Sequence, residues 1–197
     1  MTVILLVEGA TETALKRHLK RFLDHRAMSE NQPKMALRTK PFRTVPNAVQ
    51  FEKRVRLELG AKGVKAVVGL LDVYPNFDSA DEAKEFMRKA AGFDERFFAH
   101  AAQYDVEAWL LPYWEFICRR IGVTRSRPGS NPEQVNHFSP PSRRLEELYR
   151  IAKRKYKKPL EMTAILERQD LSIAAQECRE LRLLLNTLLK MGGLSPL

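Results

Sequence analysis

The chain has 197 residues, 44% of them hydrophobic, which is enough for one sizeable domain or a domain with a small appendage. Lys and Arg outnumber Asp and Glu by 34 to 24, a net charge of +10 that favours a polyanionic partner: nucleic acid first, an acidic membrane face or acidic protein second. Two cysteines without a CxxC spacing exclude a disulfide scaffold and a zinc ribbon. No apolar stretch reaches the ~18 residues of a membrane span, so we expect a cytoplasmic protein without membrane contact.

The first element in chain order is a short apolar run, Val3–Val7, which predicts a strand buried on both faces. It is too short for a signal peptide and ends at Glu8. Thr11 is then expected to cap a helix whose apolar residues recur at helical spacing. These apolar residues are Leu15, Leu19, Phe22 and Leu23. The beginning of the chain therefore predicts a strand, a tight turn and a helix.

The same pattern recurs over the next hundred residues. The predicted elements are a strand at Met35–Phe42, a helix at Asn47–Leu59, a strand at Val64–Leu71 that ends at Asp72, a helix opened by the capping box Ser79–Glu82, a strand at Phe97–Gln103 and a helix headed by Glu107. Strands that alternate with helices predict an α/β fold, with a mostly parallel central sheet and helices on both faces.

The last third of the chain departs from this alternation. Thr124–Ser142 contains four prolines and predicts a long surface loop, and the periodicity after it predicts helices at Arg143–Lys158 and Ser172–Leu189. We therefore expect an α/β core at 1–123, a proline-rich loop at 124–142 and a basic helical C-terminal extension at 143–197 that packs on the core.

Carboxylates follow the ends of three predicted strands. Glu8 and Asp72 come directly after apolar strands, and Glu107 follows a third. The carboxyl ends of parallel strands meet at one edge of the sheet, where ligands bind. Two unit charges ~4 Å apart repel by roughly 4 kcal/mol at an effective dielectric of 20, and a divalent cation reverses that sign. Oxygen ligands suit Mg²⁺ or Mn²⁺. The alternative is that each acid only interacts with the dipole of the following helix.

At this point the sequence resembles a known family. Val7–Glu12, VEGATE, is similar to the VEGxTE element that opens the Toprim domain of OLD-family nucleases, a metal-binding fold also found in topoisomerases and primases. The whole chain resembles a family of small bacterial Toprim-like proteins of unassigned function, often encoded beside an ABC-type ATPase. Four further elements carry that resemblance, in this order: Asp72-Val73-Tyr74, Gln103–Leu111, Pro141–Leu145 and Tyr156-Lys157-Lys158.

The resemblance implies a metal-dependent nuclease for DNA or RNA, the effector of an anti-phage defence complex with the ATPase. Glu8 would bind metal and handle protons, and Asp72 would hold the cation. Toprim enzymes carry a second aspartate where this chain has Tyr74, so Asp78, Asp105 or Glu107 would supply the missing ligand. We choose Glu107 because it lies in a matching segment.

Lys158 would neutralise a phosphate oxygen, as a lysine does in OLD nucleases, or it is simply a solvated lysine. The alternative to a nuclease is a non-catalytic subunit that binds nucleic acid or docks on the ATPase. Tyr74 favours this second interpretation, because it replaces a metal ligand of the active enzymes.

A strongly basic stretch precedes and includes Lys158. Between Arg143 and Lys158 there are eight basic residues and only two acidic ones. Surface helices usually mix the two signs, so this stretch predicts contact with a nucleic-acid backbone, against the alternative of a solvated helix face. The residues expected to make this contact are Arg143, Arg144, Arg150, Lys153, Arg154 and Lys157.

Other sequence signals argue against competing functions. There is no GxGxxG and no GxxxxGK[ST], so nucleotide binding of the Rossmann or P-loop type lacks support. His18 and His25 are expected at the surface of the first helix, and His137 lacks the context of an HNH nuclease. Trp109 and Trp114 are expected to pack in the core.

Overall fold

A computed structural model describes residues 1–134 and 139–197 of the chain. Its centre is a four-stranded sheet in the order β2-β1-β3-β4, in which every pair of neighbouring strands is parallel. The strands are β1 (Thr2–Val7), β2 (Ala36–Pro41), β3 (Val64–Asp72) and β4 (Phe97–Ala102). The predicted α/β fold with a parallel central sheet is confirmed.

The helices follow and interleave with these strands. In the described part of the chain they are α1 (Ala10–Ser29), α2 (Ala48–Leu59), α3 (Ala80–Ala90), α4 (Trp114–Ile121), α5 (Pro141–Ile151), α6 (Lys158–Leu166), α7 (Leu171–Glu177) and α8 (Arg179–Met191). A 3₁₀ helix at Val106–Tyr113 joins β4 to α4, and a short one lies at Pro132–Gln134. Within these described residues no helix is both long enough and apolar enough to cross a membrane.

The two faces of the sheet bury different hydrophobic clusters. Alternate residues of β1 face opposite sides: Leu5 packs in a large cluster with α1 and the C-terminal helices, and Leu6 in a smaller one with α2 and α3. Gly69 of β3 allows the smaller cluster to pack tightly, because a Cβ there would lie 2.8 Å from Met87 Sδ. Trp109 and Trp114 are buried in the large cluster, as predicted.

The structure corrects several expected features of the helices. Thr11 does not cap α1, whose N-cap is Gly9; the Gly9 amide donates to the Glu12 carboxylate at 2.7 Å. His18 is buried rather than exposed, with 1% of its surface accessible, whereas His25 is exposed as expected. Ile173, in the helix predicted at Ser172–Leu189, is exposed although it is apolar.

Two predicted helices are each interrupted. The helix expected over Arg143–Lys158 ends at Ile151. Just beyond this end, Lys153 adopts a left-handed conformation (φ 54°) and the Arg154 amide donates to the Tyr149 carbonyl. The helix expected over Ser172–Leu189 is divided at Cys178, which has an extended backbone.

The C-terminal helices share the large hydrophobic cluster with β1 and α1. The division into 1–123, 124–142 and 143–197 stays a prediction. His137 lies outside the described residues.

Candidate active site

Three strand ends place acidic residues at one edge of the sheet. Val7, the last residue of β1, is in register with Leu70 of β3, and Asp72 at the end of β3 is in register with Ala102 of β4. Glu8 and Asp72 therefore leave neighbouring strands at nearly the same level. The chain after β4 turns back through Tyr104, whose positive φ of 70° is uncommon for a bulky residue, and leads into Asp105 and Glu107.

The cluster at this edge, here called the acidic centre, contains five carboxylates and one lysine. Its members are Glu8, Glu12, Asp72, Asp105, Glu107 and Lys158. Glu12, Asp105 and Glu107 are buried, with 4%, 3% and 1% of their surface accessible, whereas Glu8 and Asp72 are half-buried. The acids predicted at the sheet edge are thus brought together, and two further acids join them.

Three of the acids use one oxygen to bind a backbone amide at the start of a helix. Glu12 accepts from Gly9 N at 2.7 Å, Asp72 Oδ1 from Val106 N at 3.1 Å, and Asp105 Oδ2 from Ser142 N at 3.2 Å. The alternative interpretation of these acids, that they only interact with the starts of helices, is therefore partly correct. For Asp72 and Asp105 it is realised across the fold rather than on the next residues.

Helix capping does not account for the remaining oxygens. Glu8 Oε2, Asp105 Oδ1 and Glu107 Oε1 are buried and have no hydrogen-bond partner among the described residues. An unsatisfied buried charged group costs more than the ~1–3 kcal/mol of a neutral one, so such atoms in a native protein require an explanation.

Burial and mutual repulsion raise the pKa values of these acids. Burial, then the charge of Glu12, raises the pKa of Glu8 to about 7. Burial, then Asp105, raises the pKa of Glu107 to about 8. Burial and four neighbouring acids hold the pKa of Asp72 well above its ordinary value. The centre therefore resists carrying its full negative charge unless a cation compensates it.

Lys158 is the cation that faces these acids in the structure. It is the first residue of α6, and its Nζ lies 3.6 Å from Glu107 Oε1. Burial alone would lower the pKa of Lys158, but Glu107, Asp105 and Asp72 raise it above its ordinary value. One ammonium group leaves most of the carboxylate charge uncompensated.

Tyr156 also borders the acidic centre. Its hydroxyl is buried and has no hydrogen-bond partner among the described residues. Burial, then the charge of Glu107, raises the pKa of this hydroxyl well above its ordinary value. Its ring packs edge-on against Tyr149, with centroids 5.2 Å apart.

The donor set suits a hard divalent cation, because it consists of carboxylate oxygens, three of which are buried without a hydrogen bond among the described residues. The side chains do not point at one common position: over residues 1–134 and 139–197, no three His, Cys, Asp or Glu side chains are placed so that they could hold a metal ion. The residues therefore fit Mg²⁺ or Mn²⁺ by chemistry, and binding would require the carboxylates to turn toward one another.

The predicted basic residues lie beside the acidic centre on two short segments rather than one helix. Arg143 and Arg150 are exposed on α5, and Arg144 is half-buried. Lys153, Arg154 and Lys157 are exposed in the connection between α5 and α6, which ends at Lys158.

Glu12, Asp105 and Tyr156 hold positions in the site that the sequence pattern does not assign. Glu12 lies in the first turn of α1, close enough to Glu8 for its charge to raise the pKa of that carboxyl. Asp105 is only one of three alternatives for the missing ligand, and Tyr156 is only part of a family motif. The remaining alternative, Asp78, is exposed.

Comparison with protein families matches residues 7–189 to the family described as a domain of unknown function, DUF4276. The chain belongs to this family. No curated protein matches this DUF4276 chain. Among solved structures, the C-terminal region of the Burkholderia pseudomallei OLD protein is similar at 17% identity over 91% of this chain and 94% of that chain, with a TM-score of 0.46. At this distance the likeness says nothing about function.

Proposed function

We propose that this DUF4276 chain is a metal-dependent nuclease that hydrolyses phosphodiesters of DNA or RNA in the cytoplasm. The observation that carries the proposal is the acidic centre: five carboxylates at the carboxyl edge of a parallel sheet, with three buried oxygens that lack a hydrogen bond among the described residues. Because these buried carboxylates repel one another, the cluster destabilises the fold, and clusters with this cost are typical of functional sites.

Glu8, Asp72 and Glu107 would hold Mg²⁺ or Mn²⁺, with Asp105 and Glu12 as further oxygen donors. The bound ion would supply Lewis-acid stabilisation of charge on the phosphate. Glu8 is half-buried, and a cation held beside it would lower its raised pKa, so near neutral pH its carboxylate would be ionised and could accept a proton from an attacking water. Lys158 carries a positive charge next to the carboxylates and would neutralise a phosphate oxygen.

The exposed basic residues of α5 and the α5–α6 connection would hold the nucleic-acid backbone. Arg143, Arg150, Lys153, Arg154 and Lys157 are exposed and lead directly to Lys158. Replacing Arg150, Lys153 and Arg154 with Glu should weaken duplex binding and reduce the salt dependence by up to ~0.9 log units for each phosphate that is no longer bound. Equal affinity and equal slope would place the nucleic-acid surface elsewhere.

The direct test is cleavage of plasmid DNA and of a structured RNA with Mn²⁺ by the wild-type chain and by Glu8→Gln. We expect slow cleavage by the isolated wild type and none by the variant. The matched control is Glu95→Gln, because Glu95 is exposed and lies just before β4, at the amino edge of the sheet, opposite the acidic centre. Equal cleavage by all three chains would show contamination and would reject the assignment.

A non-catalytic binding subunit is the second candidate function. Tyr74 stands where active Toprim enzymes have a second aspartate, and the described carboxylates do not converge on a metal position. Nucleic-acid binding without any metal-dependent cleavage, alone or in complex, would favour this second function.

We further propose that the chain acts with an ABC-type ATPase as the effector of an anti-phage system. The sequence has no nucleotide-binding motif, so an energy-dependent step would require another chain. Co-expression with the neighbouring ATPase should yield a stable complex whose cleavage exceeds that of the isolated chain. Brisk cleavage by the isolated chain, without a co-purifying ATPase, would contradict this.

A further inference from the structure

Three adjoining cavities share lining residues and together form a groove that is separate from the acidic centre. A cavity of about 600 Å³ between α1 and the α6–α7 connection shares Glu167 and Arg168 with a second cavity of about 680 Å³. The second shares Phe116 and Arg119 with a third cavity of about 560 Å³. The three together are called the arginine groove below.

The arginine groove has basic side chains that the fold does not use. Four acids line it, of which two are already neutralised by arginines, in the pairs Arg17–Glu167 and Arg127–Glu177; Glu115 and Asp170 have no ion pair among the described residues. Arg119, Arg125 and Arg168 have no ion pair or side-chain hydrogen bond among the described residues. All three are exposed, so three guanidinium groups remain for a ligand.

Aromatic side chains alternate with these arginines. Phe116 is half-buried between the second and third cavities, beside Arg119. Phe22 is half-buried and His25 exposed in the first cavity, which Arg168 also lines. Single-stranded nucleic acids bind to grooves of this composition, because cations follow the backbone while bases stack on aromatic faces and on guanidinium groups.

The arginine groove is separate from the acidic centre. Helices α1 and α6 both begin at that centre and run side by side, joined by bonds from Arg21 to the carbonyls of Leu166 and Glu167 at 2.7 Å each. Leu166 is the last residue of α6, eight residues beyond Lys158. Ala164, the first residue of α6 that lines the groove, is six residues beyond Lys158, so at 1.5 Å per residue the groove begins about 9 Å from the acidic centre.

We propose that the arginine groove binds single-stranded nucleic acid, with Arg119 and Arg168 on phosphates and Phe116 against a base. This assigns a second nucleic-acid surface, distinct from the basic residues of α5 and the α5–α6 connection. It rests on the proposed function only in that the bound strand would be the substrate. Binding itself needs no metal.

The test measures fluorescence anisotropy of labelled oligo(dT) and oligo(U) in EDTA. The strands have about 20 nucleotides, longer than the ~4–16 nucleotides that one binding site covers. For Arg119→Ala/Arg168→Ala we expect affinity to fall about tenfold and the salt slope to decrease by about 1.4, because each phosphate that is no longer bound removes ~0.7. Phe116→Leu keeps an apolar side chain and should weaken binding about fivefold with an unchanged slope.

The control removes the same charge elsewhere. Lys62→Ala/Lys65→Ala alters two exposed lysines at the start of β3, neither of which lines the arginine groove, and should leave affinity within about twofold. If this control weakens binding as much as the Arg119/Arg168 variant, only net charge matters and the proposal is wrong. The proposal is also wrong if the Arg119/Arg168 variant binds like wild type, whether or not Arg143→Ala/Arg150→Ala reduces binding.

A separate readout distinguishes this proposal from the metal assignment. The Arg119/Arg168 variant should keep the Mn²⁺-induced rise in melting temperature of the wild type, since neither arginine contacts the acidic centre. A wild type without that rise, but with groove-dependent anisotropy, would refute the metal centre and leave the groove supported. A wild type that shows the Mn²⁺-induced rise, but binds the oligonucleotides as well as the Arg119/Arg168 variant does, would refute the groove proposal alone.

Discussion

Two of the places where the described residues bury charge treat that charge in opposite ways. Between α3 and α8, Lys84 Nζ lies 3.0 Å from Glu180 Oε2, and both side chains are less than a tenth exposed. Lys84 also pairs with Asp81 at 2.9 Å, and Glu180 with Arg179 at 3.1 Å. Each buried charge in this pair has an opposite partner, and neither residue has a buried polar atom without a hydrogen bond among the described residues.

The acidic centre lacks that balance. Its carboxylates outnumber its one lysine, and three of their oxygens are buried without a hydrogen bond in the described part of the chain, although one of them lies 3.6 Å from Lys158 Nζ. The Lys84–Glu180 pair shows that this fold can neutralise buried charges where they serve structure. The excess of negative charge at the sheet edge is therefore best explained by a ligand that the chain itself does not supply.

Breaking the balanced pair should have the largest effect. Glu180→Ala leaves Lys84 buried without its main partner and should reduce the free energy of unfolding by about 3–5 kcal/mol. Urea denaturation measures this loss. The double variant Lys84→Met/Glu180→Leu removes both charges and should lie much closer to wild type; a double variant as unstable as the single one would contradict a purely structural role for the charges.

The buried region around Lys84 and Glu180 should also resist protonation of His100. Burial, then the charges of Lys84 and Arg88, lowers the pKa of His100 to about 4, and its ring contacts Thr187 Oγ1 at 3.0 Å. The unfolded chain binds this proton first, so the contribution of His100 to stability is complete above pH 6.5 and is lost as the pH falls to about 4. The loss is at most about 3 kcal/mol.

The difference in unfolding free energy between wild type and His100→Gln across this pH range isolates the histidine from the acidic centre. We expect the wild type to lose more stability on acidification than the variant. Parallel curves for the two proteins would show that His100 is protonated equally in the folded and unfolded states.

Removing a charge from the acidic centre should have the opposite sign to removing one from the balanced pair. Glu107→Gln in EDTA at pH 8 should increase the free energy of unfolding by about 1–2 kcal/mol, because it removes a buried anion from among other anions. Urea denaturation again provides the measurement. A clear destabilisation would indicate that Glu107 is held by bonds that matter to the fold.

Replacing Lys158 should have the smallest of these effects, a change in the affinity for Mn²⁺. Because its ammonium group competes with any cation for Glu107, Lys158→Met should strengthen Mn²⁺ binding about fivefold, roughly 1 kcal/mol. Calorimetric titration tests this, and Lys155→Met, in an exposed lysine three residues earlier, is the control. Weaker binding in Lys158→Met than in the control would mean that Lys158 organises the carboxylates instead of competing.

The sheet and its acidic edge could be predicted because both depend on local pattern. Apolar runs such as Val3–Val7 mark buried strands, and parallel strands must bring their carboxyl ends, hence Glu8 and Asp72, to one edge. Asp105 was harder to place, because its burial depends on a bond to Ser142 N, 37 residues away in the chain.

The helix breaks were not predictable from periodicity. The apolar spacing continues through Lys153, and that position lacks the glycine that commonly ends a helix in a left-handed conformation. At Cys178 the start of α8 is held by Glu133, which accepts from Glu180 N at 3.0 Å. A cap from a distant loop leaves no local signal in the sequence.

The central claim is that the acidic centre binds a divalent cation. The most direct measurement is the melting temperature with Mn²⁺ and Mg²⁺, for wild type and Asp72→Asn/Glu107→Gln. At a cation concentration of about 100 times the dissociation constant, the wild type should gain ~2.7 kcal/mol and melt at a higher temperature, whereas the variant should show no rise. An equal rise in both proteins, or none in the wild type, would contradict the account.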